Sequence, residues 1–141
     1  MRAFRIVGIL LLSFSAAMAQ QPPQTDPFAG NLFPPEMIMQ HQQTLGLSEE
    51  QKNFLKAETR KLQTRLTELQ WDLQEEVERL AALMKQDQVD EAQTLSQLDK
   101  VLSLEREIKR LHIGLLIRVK NKLTAEQQAK LREIQGKPAG R

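Results

Sequence analysis

The chain has 141 residues with no cysteine, no tyrosine and one tryptophan, and 20 Lys and Arg stand against 18 Asp and Glu. That length supports one domain at most, and the absence of thiols excludes a disulfide framework and a lipidated cysteine. Without Arg2 and Arg5 the bases and acids are equal at 18 each, a balance that argues against nucleic acid as a partner.

Arg2 and Arg5 precede an apolar run over residues 6–12, followed by small residues ending in Ala17-Met18-Ala19. That is the layout of a secretory signal peptide over residues 1–19, cleaved after Ala19. The apolar run is short for a membrane span and no second run follows. The expected product is exported, periplasmic in a Gram-negative cell, and not an integral membrane protein. Retention of the segment as an N-terminal anchor is the alternative. Residues 20–35 carry five of the six prolines, so 20–34 is expected as a disordered lead-in. Pro34, Pro35 and Glu36 then suit a first helical turn. Met37, Ile38, His41 and Leu45 fall on one face of that short helix, and Gly46 is placed to end it.

Leu47-Ser48-Glu49-Glu50-Gln51 and Leu123-Thr124-Ala125-Glu126-Gln127 follow one pattern. The hydroxyl can cap the N–H three residues on, and the glutamine there can reach back to the cap's own N–H. Ser48, Gln51, Thr124 and Gln127 therefore read as structural caps, not as a binding site. Residues 47–135 contain no proline and one glycine, Gly114, so two long helices are expected with a break at 87–89. On the first, Leu62, Leu66, Leu69, Leu73, Val77, Leu80 and Met84 are spaced 4-3-4-4-3-4. This eleven-residue repeat implies a stripe that is straight or slightly right-handed. A helix from 48 to 86 would be about 58 Å long and needs a partner.

The partner starts at Asp90 and carries the stripe Leu95, Leu98, Val101, Leu104, Ile108, Leu111, Leu115 and Val119. So short a connection makes the two antiparallel. A second row, Leu98, Leu102, Glu105, Lys109, His112, Leu116 and Val119, runs along its flank. That apolar surplus calls for a homodimer or for docked terminal helices. Thr124 restarts the chain as a last short helix with Ala129, Leu131 and Ile134, before a flexible tail at 136–141. The fold class is thus all-α: a long antiparallel helical hairpin with short hooked N- and C-terminal helices over 35–135. Seven acids against two bases over 72–91, and six bases against two acids over 105–122, make the tip acidic and the base end basic. Trp71 is rotated roughly 160–200° from Leu69 and Leu73 at ~100° per residue and points away from the seam. It serves an interface or lies flat beneath a terminal helix.

Two L-[ST]-x-x-Q motifs bracketing a proline-free hairpin behind a signal-like segment resemble the LTxxQ superfamily. That group holds the Spy/CpxP periplasmic chaperones and the zinc-resistance and heavy-metal sensor proteins. Phe33-Pro34-Pro35-Glu36-Met37 through Gln40-His41-Gln42-Gln43 is similar to the lead-in of the heavy-metal-sensor branch. The likeness covers residues 34–135. It implies a dimer with a curved, cradle-like surface, on which the chaperone branch holds unfolded clients without ATP through basic and apolar residues. Chemically similar positions are Arg60, Lys61 and Arg65 on the first long helix and Arg106, Lys109 and Arg110 on the second. Trp71 joins them as a candidate client contact.

Catalysis is not expected. Ser48, Ser96 and Ser103 have no paired base, and Glu75 and Glu76 sit on an acidic face. A metal reading starts from Met37 and His41, one helical turn apart with Met39 nearby. Thioether and imidazole suit Cu(I), and a carboxylate would extend the set to Ni or Cu. By resemblance, the sensor branch uses His, Glu and Met ligands of this kind. His112 with Glu105 is a second candidate, short of ligands for Zn; hydrogen bonding between the two is the simpler reading, as core packing is for Met37. The leading expectation is a periplasmic envelope-stress binding protein, a cofactor-free chaperone holding unfolded proteins. The alternative is a heavy-metal sensor or metal-binding resistance protein carrying Cu, Ni or Zn and acting on a membrane-bound signalling partner.

Overall fold

The computed structural model describes Phe28 and residues 30–136; the expected signal segment, most of the expected disordered lead-in (20–27 and 29) and the tail beyond 136 lie outside the described residues. The elements are α1 (Pro35–Gln40), α2 (Gln42–Leu45), α3 (Glu49–Met84), α4 (Glu91–Lys122) and α5 (Ala125–Gly136), with no strand among the described residues. α3 and α4 pack against each other as the hairpin, joined by residues 85–90. α1 and α2 fold back at one end and α5 at the other terminus of the same base.

The last residues of the lead-in are structured. The Asn31 and Leu32 N–H groups donate to the Phe28 carbonyl at 2.9 and 3.1 Å, and the Phe33 ring is fully buried. The expected single helix after Pro34 breaks at His41, whose backbone (φ −104°, ψ 19°) ends α1 and starts α2. Gly46 takes the left-handed conformation at φ 61°. Its N–H donates to the Gln43 carbonyl at 3.1 Å and that of Leu47 to the Gln42 carbonyl at 3.0 Å. This Schellman pattern satisfies carbonyls that the helix end would orphan.

Both long helices start on side-chain caps. Ser48 and Gln51 form the full reciprocal box, and the Asp90 carboxylate accepts from the Gln93 N–H at 2.9 Å. Their contact follows a seven-residue repeat, which corrects the eleven-residue reading. On α3, Leu55, Leu62, Leu69, Glu76 and Leu83 alternate with Thr59, Leu66, Leu73 and Leu80, all buried or half-buried. Val77 and Met84 fall off this seam and are 44% and 56% exposed. On α4 the seam runs through Thr94, Val101, Ile108 and Leu115 with Gln97, Leu104 and Leu111 between. Leu95, expected in the core, is exposed, and Thr94 and Gln97 take its place. A polar pair makes this possible. The Gln97 amide crosses to donate to both the Glu76 carbonyl at 2.9 Å and the Glu76 carboxylate. A 7/2 repeat is the period of a left-handed coil.

The core is uneven along the rod. Phe33, Ile38, Leu45, Leu47, Leu55, Leu62, Leu115, Val119, Leu123 and Leu131 form one cluster at the base, where all five helices meet. The two sides of the hairpin also differ. Arg65–Glu107 at 2.8 Å, Arg118–Glu58 at 2.7 Å and Lys122–Glu50 tie α3 to α4 along one side. The other side has no interhelical ion pair among the described residues. There Thr59, Leu62, Gln63 and Leu66 face His112, Leu115 and Leu116 across a cleft. Helical steps of three and four carry that side tipward through Leu73, Val77 and Met84 on α3, and through Lys109, Glu105, Leu102, Leu98 and Leu95 on α4.

Leu69→Ala should lower unfolding free energy by about 2–5 kcal/mol, whereas Val77→Ala should stay within ~0.5 kcal/mol. Urea denaturation of both variants measures this, and equal losses would restore the eleven-residue stripe. Hydrogen bonding from Gln97 holds the Glu76 carboxyl below its ordinary value, and that from Lys122 does the same for Glu50. A depressed carboxyl stabilises the fold above the ordinary glutamate range and loses that contribution as pH falls through the lowered value. Melting temperature should therefore drop on acidification, with a shallower acid limb in Glu50→Gln/Glu76→Gln.

Candidate functional site

The two repeated motifs meet. The Gln51 side-chain oxygen accepts from the Ser48 N–H at 3.0 Å, and that of Gln127 accepts from the Thr124 N–H at 2.9 Å. Ser48 and Thr124 hydroxyls accept in return from the Gln51 and Gln127 N–H groups at 3.1 and 3.2 Å. Then each amide nitrogen donates to the other's oxygen, at 2.8 Å from Gln51 and 3.1 Å from Gln127. The second proton of Gln51 goes to the Lys122 carbonyl at 2.9 Å and that of Gln127 to the Leu45 carbonyl at 3.3 Å. Every donor and acceptor position of both buried carboxamides is filled, which is the condition for burying them without penalty. The capping roles expected for these four residues are present, and the amide-to-amide bridge is additional. This is a structural clamp with no polar group left for a ligand.

The candidate client residues are spread over several sides. Arg65 binds Glu68 and Glu107 on the ion-paired side. Arg60 lines a hollow with Pro35, Glu36, Met39, Leu55, Lys56 and Thr59. Lys61 and Arg106 are exposed. Trp71 points out from α3, as its phase requires, beside Asp72, Gln74, Glu75 and Glu78. Lys109 and Arg110 share a groove on the outer edge of α4 with Ile113, Gly114 and Ile117. Ile113 and Ile117 escaped the sequence reading. Both lie on the stripe Leu95, Leu102, Arg106, Ile113, Ile117, whose spacings of seven, four, seven and four were the available signal. The tip half is where apolar surface concentrates. Val77, Met84, Leu95 and Leu102 are 44%, 56%, 49% and 43% exposed on one side of the hairpin.

The metal candidates do not converge. Met37 and Met39 are half-buried against the base cluster, and His41 is half-buried at the α1–α2 junction. His112 is exposed and makes no hydrogen bond to Glu105. It lines a cleft of about 350 Å³ with Glu36, Pro34 and Pro35 above Leu66 and Leu116. Among the described residues no three His, Asp, Glu or Cys side chains stand close enough to share a metal ion. Among the described residues no helix is long and apolar enough to cross a membrane.

A family model described as heavy-metal resistance matches residues 3–130. No curated protein and no solved structure matches the chain.

Removing one glutamine orphans its partner. Gln51→Ala and Gln127→Ala should each destabilise the fold by about 1–3 kcal/mol, and a double-mutant cycle by thermal melting should give a coupling of about 0.5–3 kcal/mol. Ser48→Ala or Thr124→Ala should cost about 0.5–2 kcal/mol. Additive glutamine variants would mean that the amides act as separate caps.

Proposed function

The chain belongs to the heavy-metal resistance family, within the LTxxQ/Spy-CpxP-like group of typically periplasmic proteins, and on that premise we propose that it acts by binding polypeptide. In this reading it is no enzyme. It holds unfolded segments of envelope proteins, without ATP, under conditions such as metal stress that unfold them.

One observation carries this reading: the tip-half apolar surface of Val77, Met84, Leu95 and Leu102, each more than two-fifths exposed. Partly exposed Leu98 extends it and Arg106 borders it on α4. An uncovered apolar patch on a protein surface marks an interaction site. A surface without enclosing walls takes side chains of many shapes, each weakly, which suits clients of no fixed sequence. The basic border adds attraction for acidic stretches and speeds encounter more than it deepens affinity.

The family description favours a second reading, a periplasmic metal sensor or buffer acting on a membrane-bound partner. Its candidate ligands are the soft set Met37, Met39 and His41, with His112 and Glu105 apart from it. A Cu(I) site there would tie metal to the packing of α1 against the base cluster.

Aggregation of an unfolding client separates the two. The wild-type chain should suppress it at near-equimolar ratio. Val77→Asp/Leu102→Asp should weaken suppression by roughly tenfold, equivalent to about 1.4 kcal/mol, while His41→Ala leaves it intact. Titration with Cu(I), Ni(II) and Zn(II) should reveal no stoichiometric site tighter than micromolar. A nanomolar site lost in His41→Ala, together with no effect on client aggregation, would reverse the assignment.

A further inference from the structure

Two features on opposite edges of the hairpin are complementary in shape and charge. On the outer edge of α3, Trp71 is 68% exposed and stands among Asp72, Gln74, Glu75 and Glu78. Glu75 is paired with Arg79 and Glu78 accepts from Gln74, so among the described residues Asp72 is the acid beside the ring with neither an ion pair nor a side-chain hydrogen bond. On the outer edge of α4, Lys109, Arg110, Ile113, Gly114 and Ile117 line a groove of about 440 Å³. Gly114 forms part of its floor. A Cβ at that position would come within 3.2 Å of the Arg118 Nη1, so a larger residue there would need that guanidinium to shift. Ile113 and Ile117, 36% and 46% exposed, make the apolar walls, and Lys109 and Arg110 have no ion-pair partner among the described residues.

We infer that these are the two halves of one contact between copies: Trp71 of one chain seats over Gly114 in the groove of a second chain. An indole buries about 150–250 Å² and carries a negative face, and flanking Lys or Arg then gains a cation–π attraction. Asp72 of the first copy meets Lys109 and Arg110 of the second, so charge sets the register that the apolar knob alone would leave free. The halves cannot meet within one molecule, since they face away from each other across the seam. At ~1.5 Å per residue Trp71 lies about 33 Å, and Gly114 about 12 Å, from the base ends of their helices. The contact is therefore heterologous and staggered by about 20 Å. Each joined copy offers a free knob on one edge and a free groove on the other, the arrangement that extends as an open array. It leaves the Val77–Leu102 side uncovered, so it goes beyond client binding and does not depend on it.

Trp71 is the single tryptophan, so its emission reports the contact directly. The wild-type chain should show a concentration-dependent blue shift together with a sedimentation profile that grows past dimer, both weakened by salt. Trp71→Ala keeps only a groove and Gly114→Leu keeps only a knob. Leucine favours helix and its Cβ meets the side-chain end of Arg118, so circular dichroism and thermal melting should show both variants folded, even where the Arg118–Glu58 pair loosens. Each alone should lose the association, and an equimolar mixture of the two should form one-to-one dimers and nothing larger. Emission of a fully exposed indole at every concentration would overturn the inference. So would a wild-type assembly, such as a two-fold dimer through the tip patch, that persists in Gly114→Leu with Trp71 still exposed.

Discussion

Two buried carboxamides, 76 positions apart in the chain, hold the base of this molecule together. Gln51 starts α3 and Gln127 starts α5, and each spends one hydrogen bond on its own helix, two on the other glutamine, and one on a backbone carbonyl from a further element. The Leu45 carbonyl brings in α2, and the Lys122 carbonyl brings in the end of α4. A single polar knot thus fixes four helix termini. Apolar packing around it supplies most of the stabilisation but would tolerate small slips. The knot does not, because a shift of one residue would leave several buried donors and acceptors unpaired, each at a cost of about 1–3 kcal/mol. The base cluster gives adhesion and the glutamines give register.

From that end the rod becomes progressively less buried. Leu55, Leu62, Leu115 and Val119 sit beneath α1, α2 and α5, and they are nearly sealed from water. Farther out, only α3 and α4 face each other, and a two-helix seam covers one stripe of each. Polar residues share the seam there, through Gln97 on Glu76 and the Thr94 hydroxyl on the Asp90 carbonyl. The ion pairs of one side and the bare leucines of the other make the hairpin two-faced. Exposed apolar surface is kept away from the cluster that maintains the fold, so one can vary without the other.

What the sequence made legible was local. Both capping boxes, the glycine stop at Gly46, the acid cap at Asp90 and the outward phase of Trp71 depend on residues within four positions, and the periods that define helices expose them. What it hid depended on distant partners. Nothing near Gln51 announces Gln127. The eleven-residue stripe counted apolar letters, and the seam instead passed through Glu76 because Gln97 on the other helix satisfies it. Leu95 read as core for the same reason, since Thr94 and Gln97 are polar until their partners are seen. The short N-terminal helix breaks at His41, where turning α1 onto the base cluster outweighs the uniform propensity of the stretch. The candidate site was the least legible part: the basic residues resembled a surface when named together, yet they lie on separate sides of the hairpin.

A rod anchored at only one end has a mechanical property that no single contact reveals. α3 is 36 residues long, about 54 Å at ~1.5 Å per residue. Its far half packs against α4, away from the base cluster. A rotation of about 5° at the anchored end sweeps the far end through on the order of 5 Å, about one helical turn of displacement. Sub-ångström adjustments around the Leu45 and Lys122 carbonyls are therefore geared up along the shaft. The shaft has the proportions of a lever, and the pair of amides stands where its fulcrum would be.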